Sequence, residues 1–244
     1  MTPSKPDLIF SHKQRQVKDF AFDAHVVEVF PDMISRSVPG YHTIIDTIGQ
    51  FSQQYVTEST NIYDLGCSLG AATLAMRQGI KTKGCRIIGV DNSAAMVDRC
   101  RRHVLAFKGE TPVEIIEDDV LAINIENASM VVLNFTLQFI DPDKRAQLIQ
   151  TIFDGLTPGG ILVISDKFIH PDNACNQTLI DLHHDFKRAN GYSDLEIAQK
   201  RTALENVMKP DSLEDHHLRL ANTGFSQSST WFQCYNFFSL FAIK

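Results

Sequence analysis

Between residues 61 and 166 two patterns of apolar positions alternate along the chain. Short, largely apolar runs at 62–65, 86–90, 113–116, 130–133 and 160–165 predict strands, and runs of this kind suit strands buried on both faces of a parallel sheet. Helical spacing between them predicts helices over 69–78, from Ser93 to about 106, and over 142–153. Ser93 caps the second of these, because a serine hydroxyl can satisfy an orphan amide of the first turn. Upstream, 24–35 and 42–54 are helical, with a turn at Pro39 and Gly40 between them. Pro158, Gly159 and Gly160 mark a turn before the fifth strand.

After Asp166 the rhythm breaks into helices over 173–190, 193–207 and 213–222, with Gly191 splitting the first two. Gly224 and Phe225, followed by 231–243, read as strand, turn and strand, a pair that closes a parallel sheet with an antiparallel edge. The expected fold is α/β and Rossmann-like: seven mostly parallel strands, an antiparallel C-terminal edge strand and extra helices. Residues 1–60 are expected to form a helical accessory segment, and 61–244 one α/β domain with a helical insertion around 173–222.

Composition narrows the class. At 244 residues, 43% apolar and 21% charged, the chain has the makeup of one large globular domain, which excludes disordered and fibrous classes. The formal charge of −6 disfavours direct nucleic-acid binding, and the one compact basic cluster (Arg99, Arg101, Arg102, His103) reads as the solvated face of a helix. No apolar run reaches the roughly 20 residues that span a bilayer, and the polar start of the chain, residues 1–6, carries no signal pattern. Five scattered cysteines without C-x-x-C spacing fit a reducing cytoplasm and argue against a disulfide framework or a metal site.

The candidate chemistry lies where the strands end. The first strand closes on Asp64 and runs into Gly66, Cys67, Ser68 and Gly70. Glycine lets the backbone turn tightly and a ligand approach it, and the amides after Gly66 open a helix whose N-terminus favours an anion. The carboxylate of S-adenosylmethionine (SAM) is such an anion; a plain strand–helix turn is an equal reading of these residues alone. Ser68 stands where a dinucleotide fingerprint has its second glycine, which argues against a nicotinamide cofactor. Asp91 and Asn92 end the second strand about 20 residues on, where a carboxylate can accept both ribose hydroxyls. Glu117, Asp118 and Asp119 precede Val120. An acid there, with the next backbone amide, can read the amino group and ring nitrogen of adenine; a solvated acidic turn is the competing reading. Asn134 ends the fourth strand at the crevice, unless it serves only as a turn former.

Together these signals resemble class I SAM-dependent methyltransferases over residues 61–244, with Ser68 departing from the usual middle glycine. Residues 29–41 (Val-Phe-Pro-Asp-Met-Ile onward to Tyr41), 126–139, 183–192 (His-His-Asp-Phe-Lys-Arg-Ala-Asn-Gly-Tyr) and Gln199, Lys200 and Arg201 are similar to the carboxy-S-adenosylmethionine synthase family, over nearly the whole chain. That resemblance implies that SAM is a substrate carboxylated on its methyl group, with prephenate as the carboxyl source and phenylpyruvate released. It further implies a homodimer without a metal, whose product feeds a downstream tRNA carboxymethyltransferase acting on the wobble uridine. Carried over by position, Tyr41, Gly66, Cys67, Ser68, Asp91, Asn92, Asp119, Val120 and Asn134 would line the SAM pocket. Arg201 would hold the new carboxylate, and Tyr41 and Arg201 would stand at the reaction. By itself Arg201 reads as an exposed helical arginine, and the sequence leaves open whether it serves its own pocket or a neighbour's. His183, His184, Lys187 and Arg188 are candidates for anchoring a dianionic substrate, though each reads more simply as structural or surface-facing. A conventional SAM-dependent methyltransferase acting on a small molecule or tRNA shares every pocket motif and is the alternative. A non-catalytic SAM-binding subunit is a weaker one.

Overall fold

The computed structural model describes residues 5–244; residues 1–4 of the polar start lie outside the described residues. Strands β1 (Asn61–Leu65), β2 (Arg86–Asp91), β3 (Val113–Glu117), β4 (Ala128–Asn134) and β5 (Leu156–Lys167) run parallel, and β6 (Gln227–Cys234) and β7 (Phe237–Ile243) form an antiparallel pair. The single sheet has the order β3-β2-β1-β4-β5-β7-β6, so the C-terminal pair makes the antiparallel edge, with β7 paired to β5.

Alternation within the apolar runs explains why helices cover both faces. Ile62, Ile87, Met130, Val132, Ile161 and Val163 pack with Ile44 and Ile48 of α2 (Tyr41–Tyr55) and Met76 of α3 (Ala71–Gly79). The intervening residues Leu65, Val90, Leu133 and Ile164 pack with Leu148 and Ile152 of α5 (Pro142–Gly155) and Leu220 of α8 (Leu213–Thr223). Each such side chain contributes roughly 1.5–3 kcal/mol on burial. Helix α2 therefore shares its core with the sheet that follows it. The Pro158–Gly159–Gly160 turn sits inside β5 rather than before it: Leu156 pairs with Ala128 and Ile161 with Met130, and the residues between bow outward.

Helix α4 (Ala94–Ala106) is capped by Ser93, whose hydroxyl accepts from the Met96 amide. At the N-terminus, helix starts only with α1 (Ala24–Ser37), capped by Asp23. Residues 5–23 form a strap instead, pinned to α7 (Asp194–Glu205). The Phe20 amide donates to the Ala203 carbonyl, the Gln199 side-chain amide donates to the carbonyls of Phe10 and His12, and its oxygen accepts from the Gln14 amide. With its polar backbone groups met by a distant helix, the strap needs no helix of its own. No helix among the described residues is long and apolar enough to cross a membrane.

One buried acid beneath this architecture sets a pH dependence. Asp166 in β5 is 1% exposed, and neither carboxylate oxygen has a hydrogen-bond partner of good geometry among the described residues. Burial pushes its pKa well up. Its folded value therefore exceeds its unfolded one, so the stability it preserves at low pH is lost as pH rises. Between those two values each pH unit costs about 1.4 kcal/mol. Asp166→Asn cannot ionise, so its melting temperature should gain on that of the wild type as pH rises above the ordinary carboxylate value of about 4. Parallel melting curves for the two proteins across that range would refute the assignment.

Candidate active site

A cleft of about 1600 Å³ opens at the carboxyl ends of β1 to β5. It lies where the strand order reverses between β1 and β4, the position at which doubly wound sheets bind ligands. One wall is the turn after β1. Gly66 has φ +83°, and the amides of Gly66 and Cys67 both donate to the Val90 carbonyl, at 2.8 and 2.9 Å, tying the turn to β2. Ser68 adopts φ +49°, so it takes the left-handed conformation for which glycine is the usual residue.

Asp91 joins the two loops of this wall. Its Oδ2 accepts from the Ser68 amide and its Oδ1 from the Ser93 amide, each at 2.9 Å. Burial pushes its pKa up while the two amides oppose the shift. Each carboxylate oxygen keeps a free lone pair, which is what a ribose diol requires. Asn92 is exposed at the rim. Asp119 is also exposed and accepts from the Leu121 amide at 2.9 Å, while Val120 beside it is buried. Asn134 is partly buried on the lining, and its side-chain oxygen has no partner among the described residues. Cys67 is buried on the lining, and the neighbouring Cys100 thiol, then burial, push its pKa up.

Tyr41 opens α2, with its ring centroid 6.2 Å from that of Phe135. Burial and the nearby Asp64 carboxyl push its pKa up, so its hydroxyl is a neutral donor and not a base. Asp64 itself is 1% exposed. Its Oδ2 accepts from the Thr73 hydroxyl at 2.5 Å, its Oδ1 has no partner among the described residues, and burial raises its pKa to about 6. An unpartnered carboxylate oxygen on a cleft wall is fitted to a cation.

The cleft thus gathers Tyr41, Gly66, Cys67, Ser68, Asp91, Asn92, Asp119, Val120 and Asn134. Arg201 is not among its lining residues: it is exposed on α7, and its neighbour Lys200 lines the cleft instead. Of the other cations considered from sequence, Arg188 pairs with Asp185 and Asp194 at the surface. His183 is buried with Nε2 at 2.9 Å from the Ser37 carbonyl, and burial pushes its pKa down to about 2, leaving it neutral. Sequence reasoning assigned no role to Asp64, Lys167 or Lys200. A signal existed for two of them: Asp64 and Lys167 are polar residues ending apolar strands at the crevice, as Asp91 and Asn134 are.

A doubly wound sheet with an acid–glycine turn after β1 and an acid closing β2 defines a SAM-dependent methyltransferase fold of class I. Consistent with this, the family model described as a methyltransferase domain matches residues 62–160. Human N-acetylserotonin methyltransferase, solved in complex with SAM, shares the fold at TM-score 0.59 and 16% identity, covering 91% of this chain and 55% of that one. The carboxy-S-adenosyl-L-methionine synthase of Colwellia psychrerythraea is 63% identical over 244 residues, covering 100% of both chains. That of Vibrio campbellii is 61% identical over 241 residues, 99% of this chain and 98% of the relative. The chain belongs to the carboxy-S-adenosyl-L-methionine synthase family of enzymes.

Proposed function

We propose that this enzyme carboxylates the methyl group of SAM, using prephenate as the carboxyl donor. The observation that carries the reading is one continuous cleft that joins two chemistries. An acidic and polar wall (Asp64, Asp91, Asp119, Asn134) suits the cationic amino acid and nucleoside of SAM, and a lysine-lined end suits a dicarboxylate. The donor loses its ring carboxylate as carbon dioxide and its ring hydroxyl as hydroxide, and becomes phenylpyruvate. The hydroxide takes a proton from the sulfonium methyl and leaves as water, and the ylide carbon attacks the carbon dioxide. The balance needs no protein base, in keeping with a neutral Tyr41 and a neutral His183. What the protein supplies is positioning and exclusion of water.

In this reading Tyr41, Gly66, Cys67, Ser68, Asp91, Asn92, Asp119, Val120 and Asn134 hold SAM, and Asp64 accepts from its ammonium. Arg201, exposed on α7 outside the lining of the cleft, holds the new carboxylate, in its own pocket or in that of a neighbouring copy, a bidentate task suited to a guanidinium that stays charged. The enzyme works as a cytoplasmic homodimer, and its product goes to a tRNA carboxymethyltransferase for the wobble uridine. Mass spectrometry of a reaction with SAM and prephenate tests this. A SAM-derived species heavier by one carbon dioxide, with phenylpyruvate alongside, is the expected result. Unchanged SAM with prephenate, and S-adenosylhomocysteine formed with some acceptor, would mean a conventional methyltransferase. Arg201→Ala should lower carboxylation by about 10- to 100-fold, the worth of one charged hydrogen-bonded pair, and leave SAM affinity near wild type; undiminished carboxylation would remove Arg201 from the reaction.

A further inference from the structure

Three lysines reach one end of the cleft from three elements: Lys167 from the end of β5, Lys187 from α6 (Asn173–Ala189) and Lys200 from α7. Lys187 and Lys200 are 8% and 6% exposed. Lys200 has its partners within the protein. Its ammonium donates to the Ser37 hydroxyl at 3.0 Å, lies 3.7 Å from the Asp7 carboxylate and faces the Tyr192 ring at 5.6 Å. Lys167 and Lys187 differ: among the described residues neither ammonium has a hydrogen bond or an ion pair, and Lys167 has only the Phe237 ring, at 5.9 Å. The neighbourhood offers them little compensation: the Asp7 carboxylate favours the charged form of Lys187 only as the smallest of its influences, and it already faces Lys200. His183 is neutral, and Arg201 adds positive charge near Lys167. Burial, with Lys200 and Lys167, pushes Lys187 down to about 7, and burial with Arg201 pushes Lys167 down to about 8. A buried cation without a partner is costly, so Lys187, buried, with Lys167, half-buried, on the same cleft lining, calls for an anion from outside.

We propose that Lys167 and Lys187 form the subsite for the carboxylate that the dicarboxylate donor keeps, the 2-oxo-acid group carried through into phenylpyruvate. This rests on the carboxylation reading above. The choice between the donor's two carboxylates follows from where charge goes. The ring carboxylate departs as neutral carbon dioxide, so an ammonium paired with it would favour the ground state over the transition state and slow its loss. The 2-oxo-acid carboxylate keeps its charge throughout, so anchoring it holds ground state and transition state alike. Its loss should therefore appear in KM more than in kcat.

The test uses Lys167→Met and Lys187→Met in the full-length protein, with prephenate kinetics and calorimetric titration of phenylpyruvate into SAM-saturated enzyme. Each variant is expected to raise KM for prephenate by about tenfold or more, with a smaller change in kcat, and to weaken phenylpyruvate binding in parallel, while SAM affinity holds. Lys187→Met should melt no lower than the wild type, because it removes an unpaired buried charge; a lysine kept only for structure would show the opposite. Turnover with an unchanged KM in both variants overturns the subsite and leaves the carboxylation reading standing. If the wild type fails to turn over prephenate yet binds phenylpyruvate through these lysines, the subsite survives and the carboxylation reading falls. Neither turnover nor phenylpyruvate binding by the wild type would overturn both.

Discussion

Gly66→Ala is expected to weaken SAM binding by about 100-fold or more and to lower the melting temperature. Two costs act at once. The residue sits at φ +83°, a region that costs an L-residue about 1–3 kcal/mol. A Cβ would also overlap the hydroxyl and methyl of Thr136, which follows the end of β4. Interiors packed this closely do not absorb such an overlap locally. Moving the turn would break the paired amide bonds to Val90 and draw the Ser68 amide away from Asp91. Together these place the affinity loss at about 100-fold or more. Gly159→Ala is the control: φ is +77° there as well, but a Cβ meets nothing within 4 Å, so that variant should show backbone strain alone and keep SAM affinity. Adding Thr136→Ala to Gly66→Ala should return part of the loss. Equal SAM affinity in Gly66→Ala and the wild type would mean that the turn does not approach the ligand.

The parts of the fold that could be read in advance are those whose cause is local. Largely apolar runs place all five parallel strands; β1 and β4 are buried along nearly their whole length, while β3, at the sheet edge, keeps Glu114 exposed. The Ser93 cap and the Pro158–Gly160 turn are likewise properties of a few consecutive residues. The strap at 5–23 is different. Its hydrogen bonds go to residues such as Gln199, 185 positions from Gln14, and nothing near it in sequence announces them. The site divides the same way. Asp91 and Asn134 are legible as polar ends of apolar strands, whereas the cationic end of the cleft exists only once β5, α6 and α7 converge. Arg201 and Lys200 show the finer limit. Successive residues on a helix point about 100° apart, so one lines the cleft and the other is exposed.

Asp91→Ala should weaken SAM binding by about 100- to 10,000-fold, because two hydrogen bonds to an ionised acceptor are lost at roughly 1.5–3 kcal/mol each. The carboxylate has a second task that must be kept apart from this one, since it also accepts from the amides of Ser68 and Ser93. Asparagine does not separate the two, because its NH₂ would face one of those amide donors. A thermodynamic cycle does. If Asp91 accepts the ribose hydroxyls, a SAM analogue lacking both should bind the wild type poorly and lose little more on Asp91→Ala, the two penalties being one and the same interaction. If Asp91 only braces the loops, the analogue and the variant would each cost affinity independently, and the penalties would add. Melting curves without ligand supply the remaining term. A variant that keeps its fold yet loses the coupling to the hydroxyls assigns the ribose to Asp91, and additive penalties would withdraw that assignment whatever the loss in affinity.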